Sequence, residues 1–275
     1  MNKTRDTPQD TSGNTTLDQA RLLVSNLRAL SAVEAPPTLR SAVMKTLGIG
    51  DAYFELATPL GLVYVAYNPR GISTVTRAIS DAAFEQAFRE QMGGPIYPAQ
   101  EPPATLVHTL ESCIRGEARP QLRFDLRGLS EFERAVLLKA LEIPRGEVRP
   151  YAWIAREIGS PKAVRAVGTA LAHNPVPILI PCHRVVRSDG HLGQYSLGGN
   201  DAKRAMLTAE GADPDTLEEL AREGVRYFGT TTTHAFCYPS CGHGHREADE
   251  HRIYFASEKA AILAGYHPCS DCRPA

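Results

Sequence analysis

The chain of 275 residues carries 30 Lys and Arg against 31 Asp and Glu, a formal net charge of −1, so it is not a polycation held to its partners by bulk charge. With 43% hydrophobic and 22% charged residues it has the composition of an ordinary globular protein, with room for two domains or one domain and small modules. No apolar run approaches bilayer-spanning length and no secretory leader pattern opens the sequence, which predicts a soluble protein in a reducing, cytoplasmic setting.

Residues 1–16 are polar and read as a disordered tail. Leu17, Ala20, Val24, Leu27 and Leu30 fall at helical spacing, and Leu39, Val43 and Leu47 suggest a second helix closed by Gly48 and Gly50. Tyr53 to Thr58, Leu62 to Tyr67 and Ile72 to Thr76 are β-rich runs separated by turn residues, which predicts an antiparallel meander. Helices are expected around Phe84–Met92 and Ala104–Ile114, the second carrying Cys113 as a core residue, and Leu122, Phe124 and Leu126 alternate as a further strand. Ser130-Glu131-Phe132-Glu133 is a capping box that starts a helix burying Phe132, Val136, Leu137, Ala140 and Leu141. Tyr151 to Ile158 form the next helix, ended by Gly159, and Ser160-Pro161 is expected to cap and launch another over Lys162–Ala172. Two short helices joined this way read as a helix-turn-helix, or as an ordinary helical hairpin. The second of them carries Lys162 and Arg165 among the small residues Ala163, Ala166 and Gly168, which suits close approach to phosphates or bases. From Arg145 to Arg204, nine Lys or Arg face four acids, a local excess that suits a phosphate-rich partner.

Residues 174–187 hold the most chemistry. Val176, Ile178, Leu179 and Ile180, broken by Pro175, Pro177 and Pro181, predict an extended buried lead-in to Cys182, with His183 and Arg184 directly after it. A thiol beside an imidazole and a guanidinium has reasons to ionise, and the thiolate is the nucleophile; a buried structural cysteine is the alternative. Downstream, Gly193–Gly199 is glycine-rich but lacks the Lys-Ser/Thr of a phosphate-cradling loop. A helix from Asp201, capped by Asn200, runs to Gly211 with Glu210 in its last turn, and Asp213-Pro214 opens a connector helix to about Glu223.

Asn-Pro-Val-Pro-Ile-Leu-Ile-Pro-Cys-His-Arg, from Asn174 to Arg184, resembles the active-site signature of the O6-alkylguanine-DNA alkyltransferases, and the resemblance extends from about Leu129 to Gly211. It implies direct-reversal repair: the nucleotide is flipped out of double-stranded DNA and its O6-alkyl group passes irreversibly to Cys182. It assigns His183 to act on the thiol through a water, Glu210 to fix the histidine, and Asn174 to hold the active-site turn. It also matches Arg165 to the residue filling the vacated stack, Tyr151 to a contact on the flipped base, Tyr195 and Ser196 to pocket residues near O6, and the backbone of Cys182 and Val185 to readers of the exocyclic amine. Lys162 joins these as a DNA contact. Ser196 is followed by Leu197 and Gly198 instead of directly by glycine, a departure in the pocket loop.

Cys237-Tyr238-Pro239-Ser240-Cys241 and Cys269-Ser270-Asp271-Cys272, separated by 27 residues, have the spacing of a closed four-thiolate zinc site. A mixed site drawing on His243, His245, His251 or His267 is the alternative. With Phe236 and the run Ala264 to Pro274, the segment resembles the zinc domain of Ada-type proteins, which implies that Cys237 could accept a methyl group from a methylphosphotriester. The same segment equally fits a zinc fold kept for structure or partner binding.

The resulting expectation is an α+β chain. Residues 1–50 are a tail and helical extension, and 51–127 a small RNase H-like α/β domain. Residues 128–212 form a helical, winged-helix-like (helix-turn-helix) alkyltransferase domain, 213–224 a connector helix, and 225–275 a small zinc-bound α+β module. It is expected to be monomeric and free of organic cofactors. A non-catalytic alkylation-damage sensor or transcription regulator on the same scaffold is the rival, against which the presence of Cys182, His183 and Glu210 argues, since binding alone needs no nucleophile.

Overall fold

The computed structural model describes residues 24–25, 37–77, 80–117, 121–243 and 249–274. The helix expected from Leu17 to Leu30 lies outside these, apart from the helical pair Val24 and Ser25. The chain divides into two units, residues 1–47 and 48–275. The first contains helix α1, Pro37–Leu47, as the sequence suggested.

The second unit mixes helix and sheet. Its meander is formed by β1 (Asp51–Thr58), β2 (Gly61–Asn68) and β3 (Gly71–Thr76), paired antiparallel with Phe54 opposite Val65 and Leu56 opposite Val63. The period of two in a strand sends alternate side chains to opposite faces, and both faces here are covered. Helix α2 (Asp81–Met92), N-capped by Ser80, lays Phe84 and Phe88 over Tyr53, Tyr64 and Ile96. The opposite face, with Phe54, Leu56, Val63 and Val65, enters the main core. A fourth strand that the sequence reading did not foresee, β4 (Ile96–Pro98), pairs parallel with β1 to give the order β3-β2-β1-β4. Glycine is required at Gly71, where φ is 143° and an added Cβ would lie 2.3 Å from the Arg123 carbonyl oxygen.

Helix α3 (Ala104–Arg115) follows, and three expectations for the region need correction. Cys113 is half-buried and lines a cleft of about 380 Å³ with Arg145, Arg184 and Glu210, instead of sitting in the core. The alternation at Leu122–Leu126 does not make a strand. Only Phe124 bridges Ile72, because Asp125 is drawn into hydrogen bonds with Asn68 and Arg127 and the chain turns at Leu126–Leu129. Helix α4 (Glu131–Leu141) has the reciprocal capping box of Ser130 and Glu133 that was read from the sequence. After it come β5 (Arg149–Pro150), α5 (Tyr151–Glu157) and α6 (Val164–Ala172). The third correction concerns α6, which Ser160 does not cap: residues 160–163 close a turn through Ala163 N–H to the Ser160 carbonyl at 2.8 Å, and the helix begins only at Val164.

Beyond the turn that holds Cys182, β6 (Val185–Val186) pairs parallel with β5. Helix α7 spans Gly199–Ala209, starting earlier than expected. Its cap is Gly198 at φ 133°, and the Asn200 amide is used instead to hold the Gly193 carbonyl at 3.2 Å. Helix α8 (Pro214–Arg222) is capped by Asp213 as its sequence indicates. The carboxyl-terminal segment builds a second sheet in the order β10-β8-β7-β9, from β7 (Tyr227–Thr230), β8 (Ala235–Cys237), β9 (Arg252–Phe255) and β10 (His267–Pro268), with helix α9 (Glu258–Leu263) beside it. Phe228, Tyr238 and the four cysteines of this segment belong to the same contiguous core as Val136, Leu137 and Trp153. Among the described residues no helix is long and apolar enough to cross a membrane.

Candidate active site and metal centre

The lead-in to Cys182 is buried as expected but not extended. Pro177 bridges Ile180 across a tight turn with Ile178 at φ 73°, a left-handed conformation that β-branched residues rarely adopt. The turn is fixed from both sides. The Val75 N–H of β3 donates to the Pro175 carbonyl at 2.8 Å, and the Asn174 side chain accepts from Val176 N–H at 3.0 Å while donating to the Ile180 carbonyl at 3.0 Å. Backbone strain of this kind persists only where surrounding contacts over-determine it, and it collects at functional sites. Asn174 also donates to Cys182 Sγ at 3.1 Å, which ties the turn to the thiol.

Residues 182–184 then form a single 3-10 turn, from which His183 and Arg184 both reach Glu210 while Cys182 meets Asn174. His183, with no exposed surface, places Nε2 2.9 Å from Glu210 Oε1. Its Nδ1 is buried with no protein partner. With Nε2–H donating to the carboxylate, Nδ1 carries the lone pair and can accept a proton. Burial lowers the His183 pKa despite the pull of Glu210, so the ring is neutral at physiological pH. Burial works to raise Glu210, but hydrogen bonds from His183 and Arg184 outweigh it and hold the carboxyl down at about 2. Arg184 forms a two-point fork on Glu210 at 2.8 and 2.7 Å and donates a third bond to the Ile143 carbonyl at 2.6 Å.

This arrangement corrects the expected electrostatics. The Arg184 guanidinium is committed to Glu210, and burial, at 6% residual exposure, pushes the Cys182 thiol above its ordinary range. Cys182 therefore rests as a thiol, with the Asn174 hydrogen bond and the charge of Lys203 working in the lowering direction. Lys203, counted in the sequence only within the basic excess over residues 145–204, is a further candidate beside the thiol. It is fully buried in α7, and its ammonium donates to the carbonyls of Val185, Leu192 (2.6 Å) and Gln194 (3.5 Å). Desolvation lowers its pKa to about 8, which keeps most of the charge at neutrality. A signal was present: Ala202, Lys203, Met206 and Leu207 occupy the buried stripe of one helix, so the lysine lies on the wrong face for solvent.

The remaining predicted residues divide by exposure. Tyr195 is buried, its ring edge-on to His183 at 5.9 Å, and its hydroxyl lies near the Ile178 backbone without a hydrogen bond of ordinary geometry. Val185 is buried, with its carbonyl accepting from Lys203. Tyr151 is half-buried at the start of α5, in the neighbourhood of Cys182 and 4.0 Å from where a Cβ on Gly168 would stand. Ser196, Lys162 and Arg165 are exposed. The basic excess over residues 145–204 is thus not a uniform surface stripe. Arg149 and Lys203 are buried, while Arg184, Arg187 and Arg204 pair with Glu210, Asp189 and Asp215.

At the carboxyl end the sulfurs of Cys237, Cys241, Cys269 and Cys272 are buried and all lie within 4.8 Å of one another. Four thiolates around a tetrahedral zinc at about 2.3 Å stand roughly 3.8 Å apart, so the group fits that ion. Cys237 and Cys241 leave one knuckle and Cys269 and Cys272 the other, and no histidine joins the group among the described residues. The module is fastened to the rest of the unit. Arg273 reaches Glu157 at 2.9 Å and lies over the Trp153 ring at 5.6 Å, and Arg149 lies over the Tyr238 ring at 5.5 Å.

Comparison with known proteins follows the same division. The family described as 6-O-methylguanine DNA methyltransferase, DNA binding domain, matches residues 131–212, and the family described as metal binding domain of Ada matches residues 219–275. The mouse protein named methylated-DNA–protein-cysteine methyltransferase is 40% identical over 197 residues, covering 67% of this chain and 91% of its own. The protein of that name from Mycobacterium tuberculosis strain H37Rv is 48% identical over 105 residues, covering 38% of this chain and 62% of its own. Among solved structures, Mycobacterium tuberculosis OGT in complex with DNA is 32% identical, covers 60% of this chain and 98% of its own, and superposes with a TM-score of 0.49.

Proposed function

We propose, on the premise that this chain belongs to the methylated-DNA–protein-cysteine methyltransferase family, that Cys182 is the alkyl acceptor in direct-reversal repair of O6-alkylguanine in double-stranded DNA. The observation that carries the reading is the buried relay in which Glu210 holds His183 Nε2 and leaves Nδ1 free to take a proton, with Asn174 bound to Cys182 Sγ. His183 Nδ1 takes the thiol proton through a water. The sulfur lone pair then forms a bond to the alkyl carbon as the carbon–O6 bond breaks, and that bond's electron pair departs on guanine. Imidazolium formed beside Glu210 is stabilised by the carboxylate, which stays ionised throughout. A thioether has no ready leaving route, so each molecule acts once.

The target atom is stacked inside the duplex, and the nucleotide must rotate out. Exposed Arg165 on α6 is suited to fill the space left behind, with Lys162 on neighbouring phosphates. Tyr151, Tyr195, Ser196 and the backbone of Cys182 and Val185 form the receiving pocket. On this reading residues 51–127 are the RNase H-like domain, 128–212 the winged-helix-like domain, 213–224 the connector and 225–275 the zinc module, in a monomer working in the reducing cytoplasm.

The four thiolates hold structural zinc, which when bound supplies folding free energy to a small module. Complete burial of Cys237 favours that structural role over methyl acceptance from a methylphosphotriester. Incubation with duplex DNA containing O6-methylguanine should add one methyl mass to the peptide holding Cys182, and Cys182→Ser should abolish it. Tight lesion binding with that peptide unmodified would establish the sensor reading instead.

A further inference from the structure

We infer that the metal knuckle from Cys237 to Cys241 also serves the alkyl-accepting site, with Ser240 as a positioning residue, an inference that rests on the alkyl-transfer reading above. Ser240 stands between the two cysteines, 6% exposed, and points away from the sulfurs into the other half of the unit. Its hydroxyl accepts from Val148 N–H at 2.7 Å and donates back to the Val148 carbonyl at 3.3 Å, so one side chain meets both backbone groups of a buried residue 92 positions earlier. Two residues on, Gly242 N–H donates to the Glu147 carboxylate at 3.0 Å, and the other oxygen of Glu147 holds Arg149. There is little slack, since a Cβ on Gly242 would stand 3.2 Å from Glu147 Oε1. Residues 147–149 are therefore gripped in succession by the knuckle.

What is gripped leads directly to the site. Arg149–Pro150 is β5, which pairs with Val185–Val186, the strand that leaves the turn of Cys182, His183 and Arg184. Pro150 is followed at once by Tyr151, the first residue of α5 and a wall of the receiving pocket. The Val148 carbonyl also accepts from the Arg149 guanidinium at 2.9 Å, but among the described residues its amide, which lies outside the strand pairing, donates to Ser240, and a buried amide left without a partner is costly. The knuckle supplies that partner. Attachment of the zinc module thus sets the register and rigidity of the strand pair that carries the sulfur and the tyrosine into one pocket.

The test uses the full zinc-loaded chain with Ser240→Ala and the conservative Ser240→Thr. In S240A, zinc content should match the wild type, while amide hydrogen exchange speeds up in peptides spanning residues 147–151 and 183–187. The single-turnover rate of methyl transfer from O6-methylguanine duplex should fall about tenfold, the scale of a sub-ångström misplacement of reacting groups. S240T, which keeps the hydroxyl, should retain both the exchange protection and the rate. Unchanged exchange at 183–187 in S240A, or a slowdown accompanied by loss of zinc, overturns the inference. Exchange is measured without DNA, so it decides this point separately, whereas a wild-type chain that leaves Cys182 unmodified defeats the alkyl-transfer reading itself.

Discussion

Replacing Glu210 by glutamine keeps the side chain's shape and removes one charge from a cluster that excludes water. The glutamine carbonyl can still accept from His183, but the fork with Arg184 is lost and a largely buried guanidinium is left without its counter-charge. The magnitude follows from the carboxyl itself. Held at about 2 instead of its ordinary 4.5, it contributes on the order of 3 kcal/mol to folding above both values. Breaking a buried pair from one side costs about 3–5 kcal/mol in general, so two routes agree. For a unit of this size that is a Tm lower by roughly 6–12 °C. The sign of the pH dependence is fixed as well. A carboxylate with a depressed pKa stabilises fully above the unfolded value, so the difference between wild type and Glu210→Gln stays constant from pH 6 to 8. It then closes as pH falls through 4.5 towards 2. Methyl transfer should slow by about 10²–10⁴ because His183 loses the group that stabilises its protonated form. Thermal unfolding of both zinc-loaded proteins across this pH range, with single-turnover transfer at pH 7.5, measures all of this. Equal melting temperatures at pH 7, or a difference that widens in acid, would refute the reasoning.

The depressed pKa of His183 predicts a transfer rate that is flat through neutrality, with its acid limb below pH 6.5, checked by single-turnover rates against pH. Because burial raises the Cys182 thiol, iodoacetamide should label it more slowly than free cysteine at pH 7.5, as peptide mass spectrometry would register. Cys241→Ala should lose zinc by elemental analysis and destabilise the whole unit from residue 48 onward, given the shared core; a metal-free module that stays folded would contradict the assignment. Arg165→Ala should slow repair of duplex DNA by roughly 10–100-fold, the cost of unstacking without a substitute, and leave reaction with a free O6-alkylguanine base much less affected.

Local chemistry was legible in the sequence wherever it reports on neighbours along the chain. The capping box at Ser130 and the meander read correctly because near neighbours along the chain decide them, and the cysteine pairs because each short spacing is itself the signal. Sequence patterns mislead where distant partners compete. Ser160 and Asn200 are good capping residues, yet one closes a turn through its backbone and the other is spent on Gly193. The apolar run before Cys182 has a strand's composition, but hydrogen bonds from Val75 and Asn174 bend it into a strained turn. Arg184 looked like an activator of its neighbour, and only the fold shows it turned towards Glu210. The burial of Lys203 could be read from the apolar stripe of its own helix, whereas Ser240 meets a backbone 92 residues away, which no local pattern encodes.

The continuity of apolar packing between the sulfur cluster and Trp153 bears on how the chain can be handled. Cutting it near residue 224 would remove Phe228, Tyr238 and the four cysteines from that core and lift Arg273 off the Trp153 ring, leaving apolar faces that favour aggregation. The two ends are therefore not interchangeable cassettes, and a loss of activity on truncation would report spoiled solubility before it reported chemistry.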